Sequence, residues 1–553
     1  MTFGSLEGLV DADNEVRLID AFTDQLDLRR LRFVVKELKK EGRTAYDSRV
    51  FLKLYFYGYL NALRSSRRLE SECTRNTELQ WLLGGLTPNY HSIADFRKDN
   101  PKALRNTFKL FVLFLKDEEL VSGDLVAIDG TKVRAHNSKK NNYNSKKIER
   151  HLAYIEAKTN DYLHELDAMD KSEHPALVKD IKKKMQRLKN NKIKYEALGD
   201  LMAGDGEPQL STTDPDSRAM LVQGQVVEVC YNTQAAVDSK HKLIVATHTI
   251  NRNDRNALSD IALEAKANLG AEQMTILADK GYHNGRQLQQ CSDSNITTIV
   301  AQAEIVNSNA KGTTFEYLAD KFMYAKESDT YTCPQGQTLS TSGTWHHKQR
   351  TERSVGYHYK KYRSKACKDC PVRSLCTAKA DGKREIERSE FAEVSEANTK
   401  RYKANGALYR KRQEINEHIF GTIKRKWGYN HTNLKGLEKV NGEMSLIMTV
   451  YNFKRVLNIL KFDMFLEKLK KWKPDYDKII LVFYKTSVIG SKMAMSFFPM
   501  EGSLQKKWVV DSFSNTPSPK LIFQKSANWL RTEVFSQPDG FGLGEGGDFH
   551  HKC

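Results

Sequence analysis

The sequence contains few cysteines and no long uninterrupted apolar run. Only eight of its 553 residues are cysteines, too few for a scaffold held together by disulfides. The most apolar late stretch, residues 479–500, is broken by Lys485 and Lys492, each of which costs about 2.5–3.5 kcal/mol inside a bilayer. The first residues lack the basic and apolar segments of a secretory signal. We therefore expect a cytoplasmic protein with no membrane partner.

Acidic residues are scarce relative to basic ones. Lys and Arg number 88 and Asp and Glu 69, which gives a formal net charge of +19. Such an excess favours a polyanionic partner, nucleic acid before an anionic membrane surface, although an ordinary basic protein is the alternative. The length allows roughly three or four domains.

Residues 1–115 favour a helical N-terminal domain. Asp47 is predicted to cap one helix, a second covers residues 65–77, and Ser92, three residues before Asp95, begins a third. Short helices with exposed arginines are compatible with a DNA-binding module and equally with a plain bundle that packs on the next domain.

Residues 120–301 and 396–470 predict an α/β core. In its first strand, the run Leu125–Ile128 is expected to end in a turn at Asp129. The remaining elements are predicted strands at 226–231, 233–237, 243–249, 274–278 and 296–300, and helices at 254–269, 396–427 and 435–465.

Three further segments interrupt or follow this core. Residues 145–203 carry two apolar seams of helical spacing, separated near residues 171–175, and predict an antiparallel helical hairpin. Residues 302–395 contain a cysteine cluster. Residues 475–553 depart from the pattern and end in a Gly-rich segment that we expect to be disordered.

Two aspartates follow apolar strands. Asp129 and Asp279 each come directly after such a run, where a carboxylate is costly unless it is paired or bound to metal. If both strands belong to one sheet, the aspartates can converge and, with a third carboxylate, hold two Mg²⁺ ions about 3.5–4 Å apart. That arrangement is the one needed for phosphodiester cleavage and strand transfer.

The third carboxylate is expected on the late basic helix, where Glu414 and Glu417 are the candidates. Glu417 is preferred because Gly421, one turn later, leaves room for a close approach. Arg410, Glu417 and Lys424 are seven residues apart and share a helix face, so the cations can hold a DNA backbone while the carboxylate holds metal. A solvated helix with ordinary charge pairs is the alternative.

The cysteine cluster has spacing typical of a metal site. Four thiols in a C-x₃₃-C-x₂-C-x₅-C pattern predict a structural Zn²⁺ site, with unliganded thiols as the alternative. Nearby His347 and His358 could alter the ligand set, and basic residues around the cluster could contact DNA. The predicted ligands are Cys333, Cys367, Cys370 and Cys376.

Several motifs together resemble the DDE transposases of bacterial insertion sequences. They are AIDGTKVRA at 127–135, YNTQAAVD at 231–238, ADKGYHN at 278–284 and YRKRQEINEHIFGTIKRKWG at 409–428. The resemblance covers about residues 10–470, and these motifs occur in the family's order.

The resemblance implies a ribonuclease H-like mixed sheet with helices and a triad of Asp129, Asp279 and Glu417 that binds Mg²⁺ or Mn²⁺. It also implies a helical N-terminal domain, the helical hairpin and a small Cys-rich, zinc-ribbon-like insertion. One extra residue separates Glu417 from the preceding arginine of the motif, so Arg410 and Arg412 both remain candidates for that position. The candidate DNA contacts are Arg410, Arg412, Lys424, Arg425 and Lys280.

The implied substrate is double-stranded DNA: the terminal inverted repeats of a mobile element and a target. Joining two ends implies a homodimer or larger synaptic complex, associated with the bacterial nucleoid. Two alternatives remain from the sequence: a decayed or domesticated DNA-binding protein without activity, and a metal-dependent nuclease that cuts without joining.

Overall fold

The computed structural model describes residues 5–34, 45–168, 175–206, 208–222, 224, 226–302, 313–349, 355–379 and 382–478. All of them belong to one compact unit, Met1–Ser491, and a second unit, Lys492–Cys553, lies outside the described residues. The predicted disordered tail is therefore described only as far as residue 478.

Six helices form the N-terminal part of the chain. They are α1 (Glu15–Asp24), α2 (Ser48–Leu60), α3 (Ser66–Arg75), α4 (Thr77–Leu82), α5 (Tyr90–Asp99) and α6 (Pro101–Asp117). Asp47 caps α2 as predicted, since its side chain accepts from the Arg49 amide. The predicted start at Ser92 is wrong, because Asn89 caps α5 and accepts from the Ser92 amide.

A mixed sheet forms the centre of the molecule. Its strands are β1 (Leu125–Arg134), β4 (Arg218–Val222), β5 (Val226–Asp238), β6 (Ile244–Ile250), β7 (Met274–Ala278) and β8 (Ile296–Val300), while β2 (Asn142–Tyr143) pairs separately with β3 (Leu210–Ser211). The order is β6-β5-β1-β7-β8, with β4 beside the first half of β5. β5 is antiparallel to both of its neighbours β1 and β6, whereas β7 and β8 run parallel to β1.

Two sequence predictions about these strands are wrong in detail. The expected turn after Ile128 is absent: β1 continues through Asp129, which pairs with Ala235, to Arg134. The two strands predicted at 226–231 and 233–237 are one strand, β5, because Asn232 continues the ladder opposite Lys132. The strands at 274–278 and 296–300 are confirmed.

The hairpin helices α7 (Ser145–Ala168) and α8 (Pro175–Asp205) pack against each other along the predicted seams. Ile148 and Ile155 are buried on the first helix and Ile181 on the second. The His151 ring stacks on Tyr195 at 4.6 Å, so the beginning of α7 lies beside the later part of α8 and the pair is antiparallel. Most of the predicted break, residues 171–174, falls outside the described residues.

Helices cover the central sheet. They are α9 (Leu258–Leu269), α10 (Gly285–Asp293), α12 (Ala392–Ala404), α13 (Gly406–Gly421), α14 (Leu437–Leu457) and α15 (Phe462–Lys471). The sequence prediction missed α10. It also treated residues 396–427 and 435–465 as single helices, whereas α12 and α13 are separate, as are α14 and α15. It began α9 at Asp254, which instead starts a separate 3₁₀ turn. After α13 the chain forms a π-helical turn, Thr422–Lys426.

The segment before α12 contains a second sheet. Its strands are β9 (Met323–Ala325), β10 (Thr330–Thr332), β11 (Thr338–Thr341), β12 (His346–Lys348), β13 (Tyr357–Arg363) and β14 (Glu385–Ser389), with the short helix α11 (Arg373–Cys376) beside it. Its own small core is formed by Phe322, Tyr331, Leu339, Tyr362 and Ile386.

One hydrophobic core joins the N-terminal helices to the central sheet. An aromatic group of Phe22, Phe56, Phe111 and Phe453 connects α1, α2, α6 and α14, with ring centroids 5.3–6.1 Å apart. Burying each such side chain contributes roughly 1.5–3 kcal/mol. α14 therefore anchors the N-terminal helices to the layer that supports the sheet.

Candidate active site

Asp129 and Asp279 occupy matching positions on neighbouring parallel strands. Ile128 of β1 pairs with Ala278 of β7, and each aspartate is the next residue. Neighbouring strands lie about 4.8 Å apart. The two aspartates that the sequence pattern predicts at strand ends therefore follow neighbouring, paired positions in the structure.

Asp129 lies in an environment that disfavours its ionised form. The pKa of this carboxyl is raised to about 6, first by burial and then by the nearby Asp279 and Asp254 carboxylates. Two groups act in the opposite direction: the Gly130 amide donates to Asp129 Oδ1 at 2.8 Å, and Arg412 Nη1 lies 3.9 Å from Oδ2. The net effect is a carboxylate that a cation would stabilise.

Asp254 is a site carboxylate that the sequence interpretation missed. Its Oδ1 accepts from Asn232 Nδ2 at 2.7 Å and Gln234 Nε2 at 2.9 Å, and its Oδ2 from Lys132 Nζ at 3.0 Å. Burial tends to raise the pKa of Asp254, but Lys132 and the two amides hold it below its usual value. The available signal was Asn232 and Gln234, two buried amides on one face of β5 that require polar partners.

Two motif glycines leave room for this carboxylate. A Cβ on Gly130 would lie 2.6 Å from Asp254 Oδ1. A Cβ on Gly281 would lie 3.0 Å from Asp279 Oδ1 and 3.7 Å from Asp254 Cβ. The Gly281 amide also donates to Asp279 Oδ1 at 2.8 Å. Asp254 therefore packs between the backbones that carry the two other aspartates.

A hydrogen bond extends this network to the motif that contains Asp279. The buried Tyr282 hydroxyl donates to Gln234 Oε1, the amide whose nitrogen donates to Asp254. Asn232 Oδ1 has no hydrogen-bond partner in the described part of the chain. The site is therefore rich in oxygen atoms, and one of them is buried and unpaired.

Helix α13 brings a guanidinium to the aspartates. Arg412 lies beside Asp129, and its guanidinium carbon is 5.7 Å from the Tyr409 ring centroid. Asn416, one turn later, is buried, and both of its amide atoms have no partner among the described residues. Arg410 is exposed. Of the two motif candidates, Arg412 is the arginine at the site.

Glu417 lies on another side of α13. It follows Arg412 by five residues, so at about 100° per residue the two side chains diverge by about 140°. Glu417 is exposed, and no group of three or more His, Cys, Asp or Glu side chains within the described ranges is placed to hold a metal. Glu414, the other candidate, pairs with Lys242 at 2.8 Å.

The space around Gly421, the residue on whose account Glu417 is preferred, is open. A Cβ on Gly421 would meet nothing within 4 Å, so no described part of the chain itself approaches closely there.

The remaining predicted DNA contacts occupy different environments. Lys424 Nζ donates to the Lys132 carbonyl at 2.9 Å, and burial lowers its pKa. Lys424 therefore ties the π-helical turn to β1. Arg425 and Lys280 are exposed and remain accessible to a polyanion.

The four clustered cysteines line one small cavity beside α11. The Gln337 amide donates to Cys333 Sγ at 3.3 Å. Burial raises the pKa of Cys376, and the other three cysteines raise it further, although Arg384 opposes them. The His347 and His358 rings lie 5.2 Å apart across β12 and β13, tilted by 52°, and do not line this cavity.

The basic residues around this cavity are engaged with acids. Lys360 Nζ lies 2.8 Å from Asp329 Oδ2, and Glu385 pairs with both Lys361 and Arg363. Their charges are therefore largely balanced within the second sheet.

Comparisons with known families identify the class of protein. The family described as "Transposase DDE domain" matches residues 332–457, and "Transposase domain (DUF772)" matches residues 4–99. The first match includes Arg412, Glu417 and the four clustered cysteines, whereas Asp129, Asp254 and Asp279 lie outside both. Neither the curated proteins nor the solved structures yield a match to the chain.

Two transposase family models therefore match separate parts of the chain and together support a transposase role. The resemblance to the DDE transposases of insertion elements is confirmed by these matches. Within the residues described, no helix is long and apolar enough to cross a membrane.

Proposed function

We propose that this chain is an active transposase that binds the terminal inverted repeats of its element, cleaves the DNA there and joins it to a target. The observation that carries the proposal is the Asp129–Asp279 pair on neighbouring strands, with Arg412 of the DDE-matched segment beside it. An arginine beside paired carboxylates suits a phosphodiester substrate, because guanidinium binds phosphate and carboxylates bind divalent cations.

A ribonuclease H-like core is proposed for the central sheet. Its support is the sequence of connections: three antiparallel strands, β1, β5 and β6, then helix α9 and two strands parallel to β1. We assign residues 120–301 and 396–470 to this core, with the 145–203 hairpin and the 302–395 segment as insertions. The N-terminal helices, residues 1–115, are proposed to bind DNA; this segment includes all of the second transposase match.

The residues present fit a divalent metal such as Mg²⁺ or Mn²⁺. The Asp129 side chain is partly buried beside two other carboxylates, and the Asn232 oxygen lacks a partner in the described structure. Hard oxygen ligands of this kind suit Mg²⁺. Asp129 and Asp279 would hold the metal, and Glu417 remains the proposed third ligand although its side chain lies on another side of α13 from Arg412. The bound metal would supply activation of the attacking oxygen and stabilisation of the leaving oxygen.

The side chains of the chain itself have separate tasks in this reaction. Arg412 lies near enough to Asp129 to neutralise phosphate charge at the same place. Asp254 is a positioning residue, since its bonds to Lys132 of β1 and to Asn232 and Gln234 of β5 tie the strand that carries Asp129 to its neighbour. Arg410, Arg425 and Lys280, all exposed, would hold the DNA backbone.

A structural Zn²⁺ is proposed for the cysteine cluster. Four thiols converge on one cavity, and an amide donor to Cys333 Sγ favours the thiolate that zinc requires. The ligands would be Cys333, Cys367, Cys370 and Cys376.

The decisive experiment follows cleavage and joining of a labelled terminal-repeat duplex in the presence of Mg²⁺. We expect cleaved and joined products from the wild type and none from Asp129→Asn, Asp279→Asn or Glu417→Gln, each of which still binds the duplex. Glu414→Gln is the matched control on the same helix and should remain active.

Other outcomes identify the alternatives. Cleaved ends without joined products indicate a nuclease, and binding without cleavage indicates an inactive relic. An active Glu417→Gln beside an inactive Glu414→Gln would show that the third carboxylate is wrongly assigned.

A further inference from the structure

A polar pocket lies between the N-terminal helices and the segment that follows α13. It is separate from the paired aspartates. Its charged and aromatic lining consists of Arg64, Arg68, Arg97, Trp427, Tyr429 and His431.

The floor of the pocket carries more positive than negative charge. Arg64 Nη2 lies 2.8 Å from Glu443 Oε1, and Arg97 Nη1 lies 3.8 Å from the same oxygen. Glu443 is fully buried, and its carboxylate also accepts from the amides of Asn433 at 3.0 Å and Leu434 at 3.1 Å. One carboxylate with most of its acceptor capacity occupied therefore faces two guanidiniums, and Arg68 adds a third cation to the lining.

Several guanidinium donors in the pocket are unsatisfied. Arg64 and Arg97 have side chains only 9% and 6% exposed. Arg64 Nε and Nη1 and Arg97 Nε have no hydrogen-bond partner in the part of the chain that the structure describes. A buried donor left unpaired costs roughly 1–3 kcal/mol. Those nitrogens are sealed from solvent, so an anion in the pocket would be attracted by the charge of the two guanidiniums and would not bond to these atoms.

The pocket is connected to the active site through β1. The Arg134 amide donates to the Asn430 carbonyl at 3.0 Å, and the Thr432 amide donates to the Arg134 carbonyl at 2.8 Å. The pocket wall therefore pairs with the end of the strand that carries Asp129. Five residues of strand separate Arg134 from Asp129, which is about 17 Å at roughly 3.3 Å per residue.

We propose that this pocket binds a backbone phosphate of the DNA substrate at a second point, beyond the end of the strand that carries Asp129. The proposal rests on the proposed function, which supplies the DNA. A phosphate oxygen can accept from two guanidinium N–H groups at once, and the exposed Arg68 supplies such donors in the pocket lining while the largely buried Arg64 and Arg97 add positive charge beneath it. The Ser65 and Ser66 residues at the rim add polar groups to the same surface.

The test measures duplex DNA affinity at several salt concentrations, using the full chain with Asp129→Asn to prevent cleavage. Each phosphate contact contributes about 0.9 to the slope of log affinity against log salt. Arg68→Ala should reduce that slope by about one. Arg67→Ala is the matched control: Arg67 is exposed and adjacent but covers the Tyr90 ring and does not line the pocket. Its slope should remain that of the parent protein.

Arg64→Gln tests the floor of the pocket and should also reduce the slope, with a thermal melt to verify folding. Equal slopes for Arg68→Ala and Arg67→Ala would overturn the phosphate site. These failures are distinguishable from failure of the proposed function. If the wild type binds duplex DNA but never cleaves it, only the proposed transposase activity is overturned. If the wild type binds no duplex DNA, both that activity and the phosphate site are overturned.

Discussion

The Asp254 carboxylate lies directly against the backbone of Gly130, where an added Cβ would stand 2.6 Å from Oδ1. The same Cβ would lie 2.4 Å from Gln234 Nε2, which donates to Asp254 at 2.9 Å. Both contacts belong to a buried hydrogen-bonded network, so neither side chain can withdraw freely. The glycine after Asp129 is therefore required by the close approach of a carboxylate and not by a turn.

Gly130→Ala should accordingly reduce DNA cleavage at least tenfold and lower the free energy of unfolding by about 1–3 kcal/mol, because overpacking displaces the Asp254 network. Cleavage assays and denaturant titration measure the two effects. Gly421→Ala is the control, since its Cβ meets nothing within 4 Å and alanine favours a helix by about 0.5–1 kcal/mol. Wild-type activity in Gly130→Ala would refute the packing argument.

Asp254→Asn should act through Asp129. The Asp254 carboxylate raises the pKa of Asp129, whose value of about 6 is set first by burial. Removing the Asp254 charge should lower the pKa of Asp129. Metal affinity falls on acidification because Asp129 gains a proton, so in Asp254→Asn this fall should begin at a lower pH than in the wild type. We also expect cleavage to decrease roughly tenfold as the network loosens. Mn²⁺ titrations from pH 5 to 8 measure the shift, and an unchanged midpoint would mean that Asp254 is merely structural.

Asp129→Asn should stabilise the protein in the absence of metal. A carboxyl whose pKa is raised to about 6 in the fold costs stability when ionised. The cost is fully present above pH 6 and disappears below the ordinary pKa of Asp near 4. Because Asp129 is about a third exposed, we expect a gain of about 1 kcal/mol at pH 7.5 and none at pH 4.

Thermal melts with and without Mg²⁺ complete this test. Mg²⁺ should raise the melting temperature of the wild type and leave that of Asp129→Asn unchanged. Equal responses of the two proteins to Mg²⁺ would place the metal elsewhere.

Glu264 should be essential for joining the N-terminal helices to the core. It is buried on α9, 3.4 Å from Lys109 Nζ and 3.6 Å from Arg105 Nη2 of α6. Burial opposes ionisation, but Lys109, His248 and Arg105 hold the pKa of Glu264 well below its usual value. Glu264→Gln should cost about 3–5 kcal/mol at pH 7, because it leaves a buried cation without its counter-charge.

The pH dependence gives a second check on Glu264. A carboxylate whose pKa is lower in the folded than in the unfolded protein stabilises the fold at pH values above its unfolded-state pKa. That stabilisation is lost as the pH falls below about 4. The difference between wild type and Glu264→Gln in denaturant titrations should therefore shrink on acidification. Glu438→Gln, which breaks the exposed pair with Lys102, is the control and should cost less than about 1 kcal/mol. Similar losses in both variants would contradict the role of burial.

Zinc content tests the cysteine cluster. Purified protein should contain about one Zn²⁺ per chain by elemental analysis, and Cys370→Ser should lose most of it. Cys291→Ala, which alters a buried thiol elsewhere, should retain it. A wild type without zinc would mean that the four thiols are unliganded.

Patterns confined to one element were predictable from the sequence. The strands at 274–278 and 296–300 are short apolar runs, and their bounds are as predicted because nothing nearby competes with a buried strand. The Asp129–Gly130 dipeptide misled the prediction, since Asp-Gly ordinarily marks a turn. Here Gly130 continues the β1 ladder opposite Gln234, and its missing side chain accommodates Asp254.

The sequence by itself determined the class of the chain, through motifs whose order does not depend on packing, and it identified Asp129 and Asp279 as strand-associated carboxylates. Only the tertiary structure decided which side chains accompany them. Asp254 comes from a turn and Arg412 from a helix far along the chain, and no local periodicity encodes their approach. Burial and the pairing of charges act between segments distant in sequence, so that part of the site exists only once the sheet and its helices have assembled.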